Sequence, residues 1–375
     1  MQSVANVTIH ASQFPENVRR DLLESLRAGE VNHKFHYDSI KQTQKWLALH
    51  QAYSPSRTDP DCAAIYDRSF QAVAEHIEAK RVHLIGLGCG GGQKDTRVLK
   101  LLQKRGKEIF YTPSDVSTAM VLVAREAALE VVPEENCYPL VCDLASAEDL
   151  PEVLDKLEVG DAARIITFFG MIPNFEPELI LRKLSVLLSS EDFLLFSANL
   201  APGDDYAAGV REILPLYDNE LTRDWLMTFL TDLGVEAEDG EMEFAIEDVP
   251  MVVERSSRRN SSAIDGAVGT PRPTTRAKVG RGVPTAPDRV IERIVAYFRF
   301  RREKEISIDE DRFRFGPEKA IRLFFSYRHT PQIVRSLLRD YGIKVLEEWI
   351  AKSEEEGVFL CKREQSASSP RRLRI

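Results

Sequence analysis

Between about residue 63 and residue 200, short apolar runs alternate with amphipathic helical stretches. Val82–Leu87, Ile109–Thr112, Tyr138–Cys142, Ile165–Phe169 and Phe193–Ser197 are strand-sized. Ala63–Lys80 precedes them as a helix, and Thr96–Lys104, Ala119–Leu129 and Leu179–Leu188 intervene with apolar residues at helical spacing. Apolar strands separated by helices pack as a parallel sheet covered on both faces. The pattern predicts an α/β, doubly wound core.

The first strand runs into Gly86-Leu87-Gly88-Cys89-Gly90-Gly91-Gly92 and then a helix. Clustered glycines permit a tight turn and bring backbone N–H groups close to a nucleotide at the helix start. Gly86, Gly88 and Gly91 also fit the GxGxxG spacing of a dinucleotide loop, so a nicotinamide-dependent oxidoreductase is one reading. Asp115 follows the second strand, where a carboxylate can accept both hydroxyls of a ribose; a helix cap is the alternative, and Ser117 serves that equally. Asp143 ends the third strand, placed for an adenine amino group or for a turn.

The chain ends its folded part with helix Pro331–Tyr341, strand Ile343–Ile350, a charged turn Ser353–Glu356 and strand Gly357–Cys361. This antiparallel hairpin resembles the end of the class I methyltransferase sheet, a Rossmann-like core whose last strand inserts beside its predecessor. The expected core is 61–200 completed by 328–364. Residues 1–60 and 201–327 would build a second α/β domain for the substrate. In that domain Met242–Val253 and Val290–Phe300 read as a long hairpin flanking 256–287, a Ser-, Arg-, Gly- and Pro-rich insertion too poor in apolar residues to order itself. The tail, 365–375, is expected to be disordered for the same reason.

A net charge of −9 argues against a general nucleic-acid partner. No apolar run reaches the ~18–20 residues of a membrane span. Met1–Asn6 lacks the basic start of a secretory peptide, so a cytoplasmic protein is expected. The five cysteines form no CxxC pair and read as reduced, mostly buried thiols, with no metal site. Cys89 reads as a small residue that suits its loop, since no His or Lys adjoins it to activate the thiol.

A narrower resemblance runs along most of the chain. Phe35-His36-Tyr37-Asp38 is similar to WFYD, Tyr53-Ser54-Pro55-Ser56-Arg57-Thr58 to YYPTRT, and Leu87–Lys94 to LGSGxxxK. Pro113-Ser114-Asp115-Val116-Ser117 is similar to PxDVS, Phe169–Phe175 to LGSTIGNF, and Leu216-Tyr217-Asp218-Asn219 to AYDD. In this order these motifs resemble the histidine-specific methyltransferase family, which contains histidine Nα-methyltransferases and dimethylallyltryptophan N-methyltransferases. The resemblance implies S-adenosyl-L-methionine as cofactor and a small-molecule amine as substrate. With the glycine loop it implies a cofactor site of Gly86, Gly88, Gly90, Lys94, Asp115, Asp143 and Leu144. Lys94 is alternatively a solvated helix residue. Tyr53, Asn174 and Tyr217 would face the substrate, and no catalytic residue is assigned.

The chain departs from the family in two places. In the histidine enzymes a Glu and a Ser of a TEVSxKF-like segment grip the imidazole. Aligned on Arg322–Arg328, they fall on Leu323 and Phe325, which cannot hydrogen-bond an imidazole. Pro173 replaces a family glycine beside Asn174. The expectation is therefore N-methylation of an amino-acid-derived amine other than histidine, with a more apolar or aromatic acceptor. The alternatives are a cofactor-binding regulatory protein without turnover and the oxidoreductase.

Overall fold

The structure, a computed structural model, describes residues 4–157, 159–251 and 289–364. The expected insertion 256–287 and tail 365–375 lie outside the described residues. Before residue 200 come β1 (Thr8–Ile9), β2 (Arg81–Leu87), β3 (Glu108–Asp115), β4 (Leu140–Val141), β5 (Ala163–Phe168) and β6 (Phe193–Asn199). Then follow β7 (Gly240–Met251), β8 (Arg289–Phe300), β9 (Lys304–Ile308), β10 (Asp311–Phe315) and β11 (Ala320–Tyr327). The chain closes with β12 (Ile343–Ile350) and β13 (Glu356–Arg363).

One sheet holds eight strands in the order β1-β4-β3-β2-β5-β6-β13-β12. β1 to β6 pair parallel, and β13 lies antiparallel between β6 and β12. This is the class I methyltransferase order predicted from the alternation and the terminal hairpin. β1 extends it at one edge, a two-residue pairing with β4 too short to register as a periodic pattern. Successive strand residues point into opposite layers. Leu84 packs with Val98 and Leu99, whereas Ile85 packs with Phe168, Leu181 and Phe196. The second layer is dense in aromatic rings, with Phe196 stacked on Phe168 at 5.7 Å and edge-on to Phe359 of the inserted strand at 6.4 Å.

A smaller antiparallel sheet, β11-β8-β7, forms the second part. β7 and β8 pair over twelve residues, from Gly240 opposite Phe300 to Met251 opposite Arg289, so the long hairpin expected from the flanking pattern is present. Helices Tyr206–Tyr217 and Glu220–Asp232 pack beside this sheet, and Leu226, Phe229 and Leu230 share its core with Ala296, Phe298 and Ile321. Leu26 and Phe35 of the N-terminal segment join that core, and the Trp225 indole donates to the His36 carbonyl at 2.8 Å.

The N-terminal segment contributes two fourteen-residue helices. Helix Pro15–Ala28 starts on its proline and ends at Gly29, in the left-handed region at φ 68°. A further helix, Ile40–Tyr53, lies among the aromatic, proline-broken motifs, where the composition predicts none. Its start is marked by a reciprocal cap: the Ser39 hydroxyl accepts from the Gln42 backbone while the Gln42 side chain accepts from the Ser39 N–H.

The layer between β6 and its neighbours generates the first prediction. Phe196→Ala removes a ring buried to 1% exposure between Phe168 and Phe359. It should cost about 3–5 kcal/mol of unfolding free energy. Urea denaturation measures this, and a loss below about 1 kcal/mol would contradict the packing described.

Candidate active site

The glycine loop leaves β2 at Leu87 and enters helix Gln93–Lys104. Gly88, Gly90 and Gly92 have φ of 63°, 52° and 71°, a region in which side-chain-bearing residues are strained. Space adds to conformation. A Cβ on Gly88 would lie 2.4 Å from the Met171 sulfur, and one on Gly92 would lie 2.7 Å from the Ala124 Cα. At Gly90 the nearest atom would be on Trp46, at 3.4 Å. The loop is thus held between Met171, which follows β5, and Trp46 of helix Ile40–Tyr53. Gly86 serves another purpose, since a Cβ there would sit 2.1 Å from the Asp95 carboxylate beneath the loop.

Asp115 stands at the end of β3, facing the loop. Its Oδ2 accepts from the Gly90 N–H and its Oδ1 from the Ser117 N–H, both at 3.0 Å. Burial raises its pKa, while the N–H donors of Ser117, Gly90 and Val116 pull it down. The cap of helix Thr118–Ala128 is Ser117, so Asp115 is not needed for it. Asp143 is 5% exposed and closes a local turn, accepting from the Ala145 N–H and the Ser146 hydroxyl at 2.9 Å each. Lys34 lies 3.5 Å from it and is also paired with Asp21. Leu144, beside it, is buried in the core layer.

Lys94 is not a solvated helix residue. Its Nζ donates to the Tyr66 hydroxyl at 2.9 Å and lies 4.1 Å from the centre of that ring. Tyr66 in turn touches Glu356, the first residue of β13, and the Ser197 hydroxyl at 2.9 Å. Ser197 accepts the Gly170 N–H at 2.8 Å. Burial lowers the Lys94 pKa, and Glu356 is the largest influence opposing it. Nothing in the sequence singles out Tyr66 or Glu356; the one reads as a helix residue, the other as a turn.

The residues expected at the acceptor divide. Asn174 donates its amide to the Phe325 carbonyl at 2.8 Å, joining the loop after β5 to β11. Tyr217 is hydrogen-bonded to the Ser326 hydroxyl at 2.7 Å and accepts from Arg328 Nη2 at 2.8 Å. Tyr53, by contrast, is 53% exposed at the end of its helix, apart from this group.

The strand puts Leu323 and Phe325 in different layers. β11 carries a bulge between Arg322 and Phe324, which leaves Leu323 without a ladder partner. Leu323 is fully buried in the core of the second part, and Phe325 stacks on the other face with Arg293 and Arg322 at 5.3 and 5.4 Å. The β11 side chains that meet Tyr217 are Phe324, with ring centres 6.0 Å apart, and Ser326. His33 lies 5.9 Å from Phe324, Trp225 5.8 Å, and Tyr37 is edge-on to Trp46 at 5.8 Å. Burial, with His36 nearby, lowers His33 to about 3, so it is neutral at ordinary pH.

This arrangement fits an adenosine that carries an amino-acid tail. Gly88 and Gly90 bring backbone close to the end of β3 and carry no side chain of their own, Asp115 offers a carboxylate at a strand end, and Lys94 is a half-buried cation bonded to a neutral phenol. The five cysteines are free, and burial pushes the Cys89 thiol up, so it is no nucleophile. Among the described residues no group of three or more His, Cys, Asp or Glu side chains could hold a metal ion. Nor is any helix among them long and apolar enough to cross a membrane.

A family model described as histidine-specific, SAM-dependent methyltransferase matches residues 18–210, more than half of the chain. No curated protein matches it in sequence. Among solved structures, the chain is similar to an S-adenosylmethionine-dependent methyltransferase from Clostridium acetobutylicum at 12% identity and TM-score 0.41, over 86% of this chain and 99% of that one. It is similar to magnesium protoporphyrin IX methyltransferase from Synechocystis, solved with bound SAH, at 12% identity and TM-score 0.40, over 87% and 95%. A third is 1,6-didemethyltoxoflavin-N1-methyltransferase from Burkholderia thailandensis, at 8% identity and TM-score 0.38, over 87% and 89%.

Asp95, beneath the loop, generates a pH prediction. It accepts from the Thr167 and Tyr111 hydroxyls at 2.8 Å each, and burial pushes its pKa from 3.8 up to about 6. A carboxyl raised on folding contributes stability that is complete below its ordinary pKa and lost as pH rises through the folded value. The stability of the natural protein minus that of Asp95→Asn should therefore fall by about 2–3 kcal/mol between about pH 4 and pH 7. Urea unfolding across that range reads it, and a constant difference would refute the assignment.

Proposed function

The chain belongs to the histidine-specific, SAM-dependent methyltransferase family, and from that premise we propose that it N-methylates the amino group of a small amino-acid-derived acceptor other than histidine. The observation that carries the substrate reading is Phe324. With the register moved by one residue, Ser326 keeps the family's hydroxyl while Phe324 stands where the histidine enzymes have Glu. A phenyl ring accepts no conventional hydrogen bond from an imidazole N–H, so the site loses that anchor and gathers the rings of Phe324, Tyr217 and Trp225 in its place.

The cofactor, when bound, would supply an electrophilic sulfonium methyl to an amine lone pair: the N–C bond forms as the C–S bond breaks, its electron pair leaves on sulfur as the thioether of S-adenosylhomocysteine, and the methylated nitrogen gives up a proton to solvent. In this reading Gly88 and Gly90 admit it to the backbone, Asp115 takes the ribose hydroxyls and Lys94 the carboxylate of the amino-acid tail. Asp143 and Leu144 lie on the adenine side. What remains for the protein is to hold a neutral amine in line and keep water out. Met171 over Gly88 and Trp46 over Gly90 close the loop from two sides. Asn174 and Tyr217 are each fixed by protein partners and so present a set geometry to the acceptor.

Calorimetric titration with S-adenosylhomocysteine tests the cofactor reading. Asp115→Ala should weaken binding by roughly 30- to 100-fold, the loss of charge-assisted hydrogen bonds; unchanged affinity would remove Asp115 from the ribose. Turnover with a panel of aromatic amino acids and their amines, followed by mass spectrometry of the N-methyl products, tests the chemistry. Cofactor binding with no methylated amine would favour a regulatory protein, and tight histidine binding would overturn the role of Phe324.

A further inference from the structure

We propose that Arg328 docks a carboxylate of the acceptor, so that this enzyme selects amines bearing a negative charge close to the reacting nitrogen. The inference rests on the amine reading above and deepens it.

Arg328, just past the end of β11, is 7% exposed. Its hydrogen bonds go to neutral acceptors only: Nη1 to the Leu200 carbonyl at 3.3 Å and Nη2 to the Tyr217 hydroxyl at 2.8 Å. Its Nε is buried with no partner. Among the described residues no carboxylate comes within ion-pair distance of it. Other shielded arginines are treated differently. Arg125, 4% exposed, is paired with Glu126 and Glu134, and even the half-buried Arg164 is paired with Asp192. A buried charge without a counter-ion costs several kcal/mol, and an arriving anion recovers it. The planar fork of a guanidinium matches a carboxylate in two hydrogen bonds.

Position supports the same conclusion. Leu200 directly follows β6, at the carboxyl end of the core strands, where ligands of open α/β sheets bind. Tyr217 and Ser326 belong to the second part, and the Asn174 amide crosses from the core to Phe325. The guanidinium therefore lies at the seam between the cofactor-bearing core and the aromatic group around Phe324. The polar groups beside it are already engaged, since Asn174 donates to a backbone carbonyl and the Tyr217 oxygen accepts from Arg328. Arg328 is the cation left over.

The test is calorimetry on the full-length protein saturated with S-adenosylhomocysteine, using matched probes: L-tryptophan, tryptamine and indole-3-propionate, with L-phenylalanine, phenethylamine and 3-phenylpropionate as a second set. The amino acids should bind about 30-fold more tightly than their decarboxylated amines. Arg328→Lys should cut that preference to a few fold, and Arg328→Met should remove it. The unmutated protein decides the matter even if a variant fails to fold. Amines that bind as tightly as the amino acids overturn the role of Arg328 and leave the amine reading standing. Propionates that bind as tightly as the amino acids overturn the amine reading and leave the anion site. Binding by none of the six overturns both.

Discussion

The phenol of Tyr66 is the point on which the site depends. It is fully buried on helix Pro60–His76 and touches three other side chains: Lys94 at the start of the helix after the glycine loop, Ser197 on β6 and Glu356 at the head of β13. A fourth segment, the loop after β5, joins through the Gly170 N–H on Ser197. Glu356 only accepts and Lys94 only donates, so the phenol relays between a buried anion and a half-buried cation that do not meet. Polar groups sealed in this way hold a unique geometry only when each is satisfied. Here the inserted strand, its neighbour β6 and the helix that follows the glycine loop are fixed relative to one another by one hydroxyl.

That hub also explains why the antiparallel insertion matters to chemistry and not only to topology. β13 brings Glu356 to the carboxyl end of β6, next to Asn199 in the ladder. A sheet that ended at β6 would leave Tyr66 without its anion and Lys94 without a fixed direction. The second part then closes on the same end of the sheet through Asn174, Arg328 and the bond between the Tyr327 hydroxyl and Glu176 at 2.6 Å. The cluster of Asn174, Tyr217, Ser326 and Arg328 is therefore assembled from residues that lie more than a hundred positions apart in the chain.

The core is legible in the sequence because its signals are local. Apolar runs such as Val82–Leu87 and the glycines that end them carry their own periodicity, and Gly88, Gly90 and Gly92, all with positive φ, sit in the loop that the glycine cluster marks. Asp115 is legible for the same reason, being next to the strand that places it. Tyr66, Glu356 and Arg328 are not, because each acquires meaning only from partners brought by the fold. The register of β11 fails on a subtler point: one bulged residue, Leu323, reverses the faces of everything on one side of it, and a bulge leaves no mark in an apolar run of Leu323-Phe324-Phe325. Helix Ile40–Tyr53 is hidden by its low amphipathicity, although Ser39 and Gln42 sign its start.

The pairing of Met251 with Arg289 makes the two ends of the intervening chain cross-strand neighbours. A segment that departs and returns at one rung of a ladder is topologically a closed loop, and each doubling of its length costs only about 0.6 kcal/mol in closure entropy. The length of chain between them is therefore weakly constrained, and a reporter domain grafted between these two residues would leave the twelve-residue ladder, and the seam beyond it, in register.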